Sequence, residues 1–259
     1  MANDALHFAV LGGKDEIRAA TTQLRARGWV RFGSPAARSR PASAVRRVLG
    51  RDSMLPDPVK SWDVLRALQA VSESTPRDIP VLDMGCVACP ILPCLHNLGY
   101  TDLHGVDLDG RVGNMPLRER IDYRTADMTA TPWPDQTFAA ITAISVIEHG
   151  FDQDALLREV ARLLRPGGAF IFSTDYWPLK LDTDGMRMFG LDWRIFSADE
   201  IEAMLQAARG YGLHPLDDPS AILRAPLADE NGSRPVSCEG RHYTFLYGAL
   251  ISRSSPAGG

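Results

Sequence analysis

The chain has no excess of basic charge, no long apolar run and few cysteines, and each shortage removes a class of function. Its 28 Lys and Arg stand against 32 Asp and Glu, a formal net charge of -4, so no cationic field marks nucleic acid as a partner. No stretch approaches the roughly 18 consecutive apolar residues of a membrane helix. Met1-Ala2-Asn3-Asp4 lacks the basic start and apolar centre of a secretion signal. A cytoplasmic protein with no membrane partner is expected. Four cysteines in 259 residues do not make a disulfide framework. Cys86-Val87-Ala88-Cys89 has redox or zinc spacing, with His96 as a conceivable further ligand. There is no second such pair, and Pro90-Ile91-Leu92-Pro93 sets apolar residues between Cys89 and Cys94, so buried or loop thiols are expected rather than a metal site.

What is present is an alternation. A hydrophobic content of 45% allows one large core. Strand-like runs fall at 79–84, 102–107, 119–124, 138–145 and 168–174, helix-like runs near 90–99, 152–165 and 197–209, and a last apolar run at 242–251. In 152–165, Leu156, Val160, Leu163 and Leu164 share a face opposite Arg158, Arg162 and Arg165, and Pro166-Gly167-Gly168 stops the helix. Ser197-Ala198-Asp199-Glu200 has capping-box spacing. Strands alternating with helices over this length predict an α/β fold with a parallel, doubly wound sheet. Ahead of it, 6–11 reads as a short strand, 14–27 as a helix and 57–74 as an amphipathic helix. Between these, 31–54 carries six arginines among Gly, Ser and Pro, either a clamp for an anionic group or a solvated loop. The expected organisation is an N-terminal extension over 1–56, one domain over 57–252 and a disordered tail over 253–259.

Two strand-like runs end in an acid, Val81-Leu82-Asp83-Met84-Gly85 and Leu103-His104-Gly105-Val106-Asp107. In a parallel βαβ unit, an acid at the tip of the second strand points into the crevice where a ribose offers two hydroxyls, so the spacing suggests a nucleoside-containing cofactor. A nicotinamide cofactor would want a GxGxxG turn after the first strand, but Val87 and Pro90 stand in place of its later glycines.

These residues also carry a family resemblance. Val81-Leu82-Asp83-Met84-Gly85-Cys86, Gly105-Val106-Asp107, Ala126-Asp127-Met128, Trp133-Pro134-Asp135-Gln136-Thr137-Phe138, Ile147-Glu148-His149 and Leu164-Arg165-Pro166-Gly167-Gly168 occur in the order seen in class I S-adenosylmethionine-dependent methyltransferases, which the chain resembles over about 79–175. The resemblance implies a Rossmann-like seven-stranded sheet whose last strand, here 242–251, is antiparallel, and S-adenosyl-L-methionine as cofactor. It further implies that Gly85 and Cys86 let backbone approach the cofactor's methionine part and that Asp107, followed by Leu108, accepts from the ribose hydroxyls, with Asp109 as the alternative. Asp127 would accept from the adenine amine, Met128 would pack on the ring, Asp83 would organise the glycine loop, and Ile144 and Ser145 would lie near the cofactor's amino-acid end. Val87 and Cys89 depart from the family's later glycines. A β-branched Val resists a positive φ, so the loop must run differently or leave less room.

On this resemblance the acceptor is a hydroxyl or amine of a small molecule, a sugar or specialised metabolite, and the protein is a monomer or homodimer. His149 is the candidate base, because imidazole titrates near neutrality, and Glu148 orients it or binds substrate. The bland alternative is that the pair caps the strand. Relatives with Glu-x-x-Glu-His hold a divalent metal there, whereas Ser145 takes the first position here, so no metal is expected. The segment after the fifth strand is aromatic and Met-bearing; Asp175, Tyr176 and Trp177 are expected to face substrate, with Trp193 and Phe196 structural. The stretch 226–241 connects the last two strands, and Cys238, Arg241 and His242 receive no role. Competing possibilities are a non-catalytic binding module of the same fold and a nicotinamide-dependent oxidoreductase.

Overall fold

A computed structural model describes residues 4–29, 31–32, 54–55, 58–227 and 235–253. Most of the arginine-rich segment 31–54 and most of the tail 253–259 lie outside the described residues. The elements of the main body, in chain order, are β1 (Ala9–Val10), α1 (Lys14–Ala26), α2 (Ser61–Ser74), β2 (Val81–Met84), α3 (Ile91–Asn97), β3 (Leu103–Asp107), β4 (Asp122–Thr125), β5 (Phe138–Ile144), α4 (Gln153–Leu163), β6 (Leu164–Tyr176), β7 (Arg187–Met188), β8 (Leu191–Asp192), α5 (Ala198–Gly210), β9 (Leu213–His214), β10 (Val236–Cys238) and β11 (Arg241–Ser252).

The sheet runs in the order β1-β11-β6-β5-β2-β3-β4. Strands β4, β3, β2, β5 and β6 are mutually parallel, and β11 runs antiparallel against β6, pairing residues 244–251 with 169–176. This is the sheet expected from the family resemblance. Every residue of β2 is buried, as it must be where helices cover both faces of a parallel sheet. One face is closed by α1, α2 and α3 with Trp62, Leu65, Leu68 and Val71, the other by α4 and α5 with Leu156, Val160, Ile201 and Leu205.

Local chemistry sets the boundaries. Helix α4 stops at Leu163, two residues short of expectation, because Leu164 already pairs with Phe138 and Arg165 precedes a proline, which keeps it out of the helical region. The next aligned pair is Ala140 with Ala169, so residues 165–168 bulge outward through Gly167 at φ +81. Helix α5 starts with the expected capping box, Ser197 and Glu200 each accepting from the other's backbone amide. Strand β4 starts three residues later than expected, since the Ile121 amide closes a turn onto the Leu117 carbonyl.

The far edge of β11 is covered in pieces. Strand β1 pairs with Leu246 and Tyr247, the Leu11 amide adds a bond to the Phe245 carbonyl, and β9 pairs with Ile251 and Ser252. Beside them the Phe8 ring lies so close to Gly248 that a Cβ there would come within 2.6 Å of it. The stretch expected as a strand over 6–11 is thus a 3-10 turn, Asp4–Leu6, followed by a two-residue edge strand.

Candidate active site

The carboxyl ends of β2, β3 and β5 meet where the strand order reverses, the usual crevice of a doubly wound sheet. Gly85 leaves β2 at φ +73, and a Cβ on it would lie 2.4 Å from Val146 Cγ2. Glycine is therefore required here by Val146 as well as by the backbone angle. In the following turn the Cys89 amide donates to the Cys86 carbonyl at 3.1 Å, and it is Ala88, at φ +63, that takes the left-handed conformation. Val87 avoids it, which is how the loop runs without its later glycines.

The turn is tied to β3 by Asp107. Its Oδ2 accepts from the Val87 amide and its Oδ1 from the Asp109 amide, both at 2.9 Å. A carboxylate offers about four lone-pair sites, so two acceptor positions remain on a side chain that is only half-buried. Leu108 beside it is exposed, as is Asp127, whose Oδ1 accepts from the Thr129 amide and hydroxyl at 2.8 Å each. Met128 packs against the α4 face of the core. Neither Asp107 nor Asp127 belongs to a salt bridge among the described residues.

Asp83 is wholly buried. Its Oδ1 accepts from the Thr142 hydroxyl at 2.6 Å, while Oδ2 has no nitrogen or oxygen donor. Burial pushes this carboxyl up to about 7, the Thr142 and Cys89 side chains oppose the rise, and Asp107 adds to it. Burial, reinforced by Asp83, also pushes the Cys86 and Cys89 thiols up, which suits inert structural thiols.

A second group sits at the ends of β5 and β6. Ser145 takes φ +53, uncommon for a residue with a side chain. It is held by its amide, which donates to the Ser173 carbonyl and hydroxyl at 3.1 Å each. Lys60, just ahead of α2, donates to the Ser145 hydroxyl and lies 3.8 Å from the Phe245 ring centroid. Around it stand three buried carboxyls. Asp63 accepts from Ser173 at 3.0 Å and from the Val64 amide at 2.9 Å; Glu148 accepts from Thr174 at 3.3 Å; Asp175 accepts from the Trp193 indole at 2.8 Å and leaves Oδ1 without a bond of normal geometry. Burial raises the pKa of all three, and Lys60 opposes the rise in each. Next to them His149 is pushed down to about 4, first by burial and then by Lys60, so it is neutral near pH 7. Its Nδ1 is buried and unpaired, and its ring lies edge-on to Phe189 at 5.6 Å.

The segment after β6 folds back onto this loop. The Gly150 amide donates to the Asp192 carbonyl and the Arg194 amide to the Glu148 carbonyl, flanking a bridge between His149 and Trp193. Between the two segments lies a cleft of about 570 Å³ lined by Glu148, Phe151, Met186, Trp193, Arg194 and Phe196 among others. Gly85, Asp107 and Asp127 are not among the residues that line it.

Of the three residues expected to face substrate, Asp175 joins the cluster and Trp177 packs half-buried beside it. Tyr176 does not. Successive strand residues point to opposite faces, and its buried hydroxyl donates to the Leu223 carbonyl on the α5 side. Trp193 and Phe196 are buried, as expected of structural residues, though Trp193 also bonds Asp175. Lys60, Asp63 and Ser173 are the site residues that sequence reasoning missed. The available signal was polarity inside apolar runs: Ser61 and Asp63 interrupt the buried stripe of α2, and Ser173, Thr174 and Asp175 end an otherwise apolar strand.

Residues 82–172 match the family described as a methyltransferase domain. A probable S-adenosylmethionine-dependent methyltransferase of Mycolicibacterium smegmatis is 40% identical over 72 residues, 27% of this chain and 28% of that protein. A ubiquinone biosynthesis O-methyltransferase of Dinoroseobacter shibae is 27% identical over 177 residues, 60% of this chain and 67% of its own length. The chain thus spans under a third of the first relative and about two thirds of the second. Among solved structures, the YcgJ protein of Bacillus subtilis superposes with a TM-score of 0.53 at 18% identity, over 74% of this chain and 99% of that one, a likeness of fold.

Proposed function

We propose that the chain, whose residues 82–172 match a methyltransferase domain, is a class I S-adenosylmethionine-dependent methyltransferase that methylates a hydroxyl or amine of a small molecule bound in the cleft beside Glu148. The observation that carries this is the spare acceptor capacity of Asp107, a carboxylate already fixed by two backbone amides and still open on its crevice side. Asp107 would take the ribose hydroxyls and Asp127 the adenine amine, with Met128 against the ring, Leu108 at the rim, and Gly85, Cys86 and Ile144 along the methionine portion. Asp83 stays beneath, linking the turn to Thr142. When bound, S-adenosylmethionine supplies a methyl group on a positively charged sulfur, already activated for displacement.

What remains for the protein is to align the acceptor, exclude water and receive a proton. Here the chemistry favours exchanging the roles expected of Glu148 and His149. A group held at about 4 is a weak base, whereas Glu148, raised by burial and bordering the cleft, is a strong one once ionised. We assign proton acceptance to Glu148, which borders the cleft, and positioning roles behind it to neutral His149 and to Asp175, with Trp177 packed nearby. A relative named for O-methyl transfer makes a hydroxyl the first acceptor to try.

The test is calorimetry with S-adenosylmethionine, followed by incubation with methyl-labelled cofactor and a panel of small hydroxyl and amine acceptors. Heat, thermal stabilisation and label transfer are expected. No heat and no stabilisation at saturating cofactor would leave a non-catalytic binding module.

A further inference from the structure

Among the described residues, two cations line the cleft beside Glu148, Lys180 and Arg194, and they differ in what they already hold. Lys180 is engaged by Glu200 at 2.8 Å. The exposed Arg194 guanidinium enters no ion pair and no hydrogen bond among the described residues, although the segment that carries it is firmly placed. Its amide donates to the Glu148 carbonyl at 2.9 Å, and the neighbouring Trp193 is buried and bridges to His149. The guanidinium carbon lies 5.4 Å from the centroid of the Phe196 ring, itself part of the cleft lining. That contact steadies the charge without supplying it an anion.

Resting on the methyltransferase function above, we propose that the acceptor carries an oxyanion, a carboxylate or a phosphate, and that Arg194 grips it while Glu148 meets the group to be methylated. A guanidinium presents five donors in a planar fork that matches two oxygens of either anion. The carboxyls lining the cleft are mostly engaged already: Glu200 by Lys180 and the Ser197 cap, Asp192 by Arg187 at 3.2 Å, and Asp152 by the Ala155 amide at 3.0 Å. Asp184, exposed beside Gly185, is the carboxylate left to compete, and it would favour a cationic acceptor instead. Because a backbone bond ties Arg194 to Glu148, one small molecule can reach both. Ile147, Phe151, Met186, Trp193 and Phe196 give the same cleft apolar lining, which suits a hydroxylated aromatic acid.

The experiment is isothermal titration of the full chain, first with S-adenosylhomocysteine and then, at saturation, with matched phenols. These are para-hydroxybenzoate against its methyl ester, para-hydroxyphenyl phosphate against hydroquinone, and para-hydroxybenzylamine as the cationic counterpart. At least one anion should bind about tenfold or more tightly than its neutral mate, the scale of a charge-assisted bond, and the larger of the two preferences tells carboxylate from phosphate. Arg194→Met should erase the preference while changing the affinities for the neutral mate and for S-adenosylhomocysteine by less than about twofold. Arg194→Lys, with the charge but not the fork, should keep part of it. No binding of either anion, equal affinity for anion and neutral mate, tighter binding of the amine, or a preference that survives in Arg194→Met would overturn the oxyanion grip while leaving the methyltransferase function standing. A wild type that does not bind S-adenosylhomocysteine would overturn both.

Discussion

Asp107→Asn isolates the residue on which the crevice depends. In the wild type both carboxylate oxygens accept a backbone amide at 2.9 Å, one from Val87 and one from Asp109. An asparagine amide has one acceptor oxygen and one donor nitrogen, so whichever way it turns, one of the two amides faces another donor. Losing a partner for a partly buried amide costs about 1–3 kcal/mol. At roughly 2–4 °C per kcal/mol for a domain of this size, the melting temperature should fall by about 2–12 °C. Cofactor binding should suffer separately. A ribose hydroxyl that donated to a carboxylate meets a neutral amide, a loss of about 1.5–3 kcal/mol, or roughly 10–100-fold in Kd. Scanning calorimetry reads the first quantity and isothermal titration with S-adenosylhomocysteine the second. An unchanged melting temperature would refute the loop bonds, and an unchanged Kd would refute Asp107 as the ribose ligand.

Glu148→Gln should slow methyl transfer by about 10²-fold or more at saturating cofactor, against less than about tenfold for His149→Ala; the opposite ranking would return the base to His149. Wild-type kcat should rise with pH as Glu148 loses its proton, and that limb should vanish in Glu148→Gln. Asp83, with its carboxyl raised to about 7, keeps its proton in the native state where the unfolded chain has lost it. The stability it contributes is full below about pH 4 and is lost as pH rises through 7, about 4 kcal/mol in all. Asp83→Asn should remove this decline in urea melts, and a wild-type-minus-variant difference that stays flat from pH 4 to 8 would contradict it. Gly85→Ala should destabilise by about 1–3 kcal/mol through contact with Val146 and the φ of +73. Adding Val146→Ala should recover only the steric part, so full recovery or none would show that the two causes are wrongly divided.

The core of the fold was legible because parallel strands buried on both faces read as apolar runs, and because Asp83 and Asp107 close two of them at the same edge. The short pieces were less so. β9 contributes two residues, and pairing so brief leaves no periodic trace. The loop departure at Val87 was visible, but its solution, a left-handed Ala88, goes with a tertiary bond from the Val87 amide to Asp107 that no local preference encodes. Lys60 and Asp63 meet Ser145 and Ser173 across more than eighty residues, so only their polarity within apolar surroundings could have drawn notice. Tyr176 was within reach of sequence reasoning: with side chains alternating along β6, Asp175 and Tyr176 could not both face the site.

The piecemeal cover along β11 gives the first dozen residues a guarding task. The strand runs for twelve residues, and among the described residues its outer border is paired in short stretches, by β1, the Leu11 amide and β9. A version trimmed to begin after residue 12 would bare donors and acceptors ready to zip onto the same border of another copy. Self-association, rather than a damaged catalytic centre, would then be the first symptom of losing this leading segment.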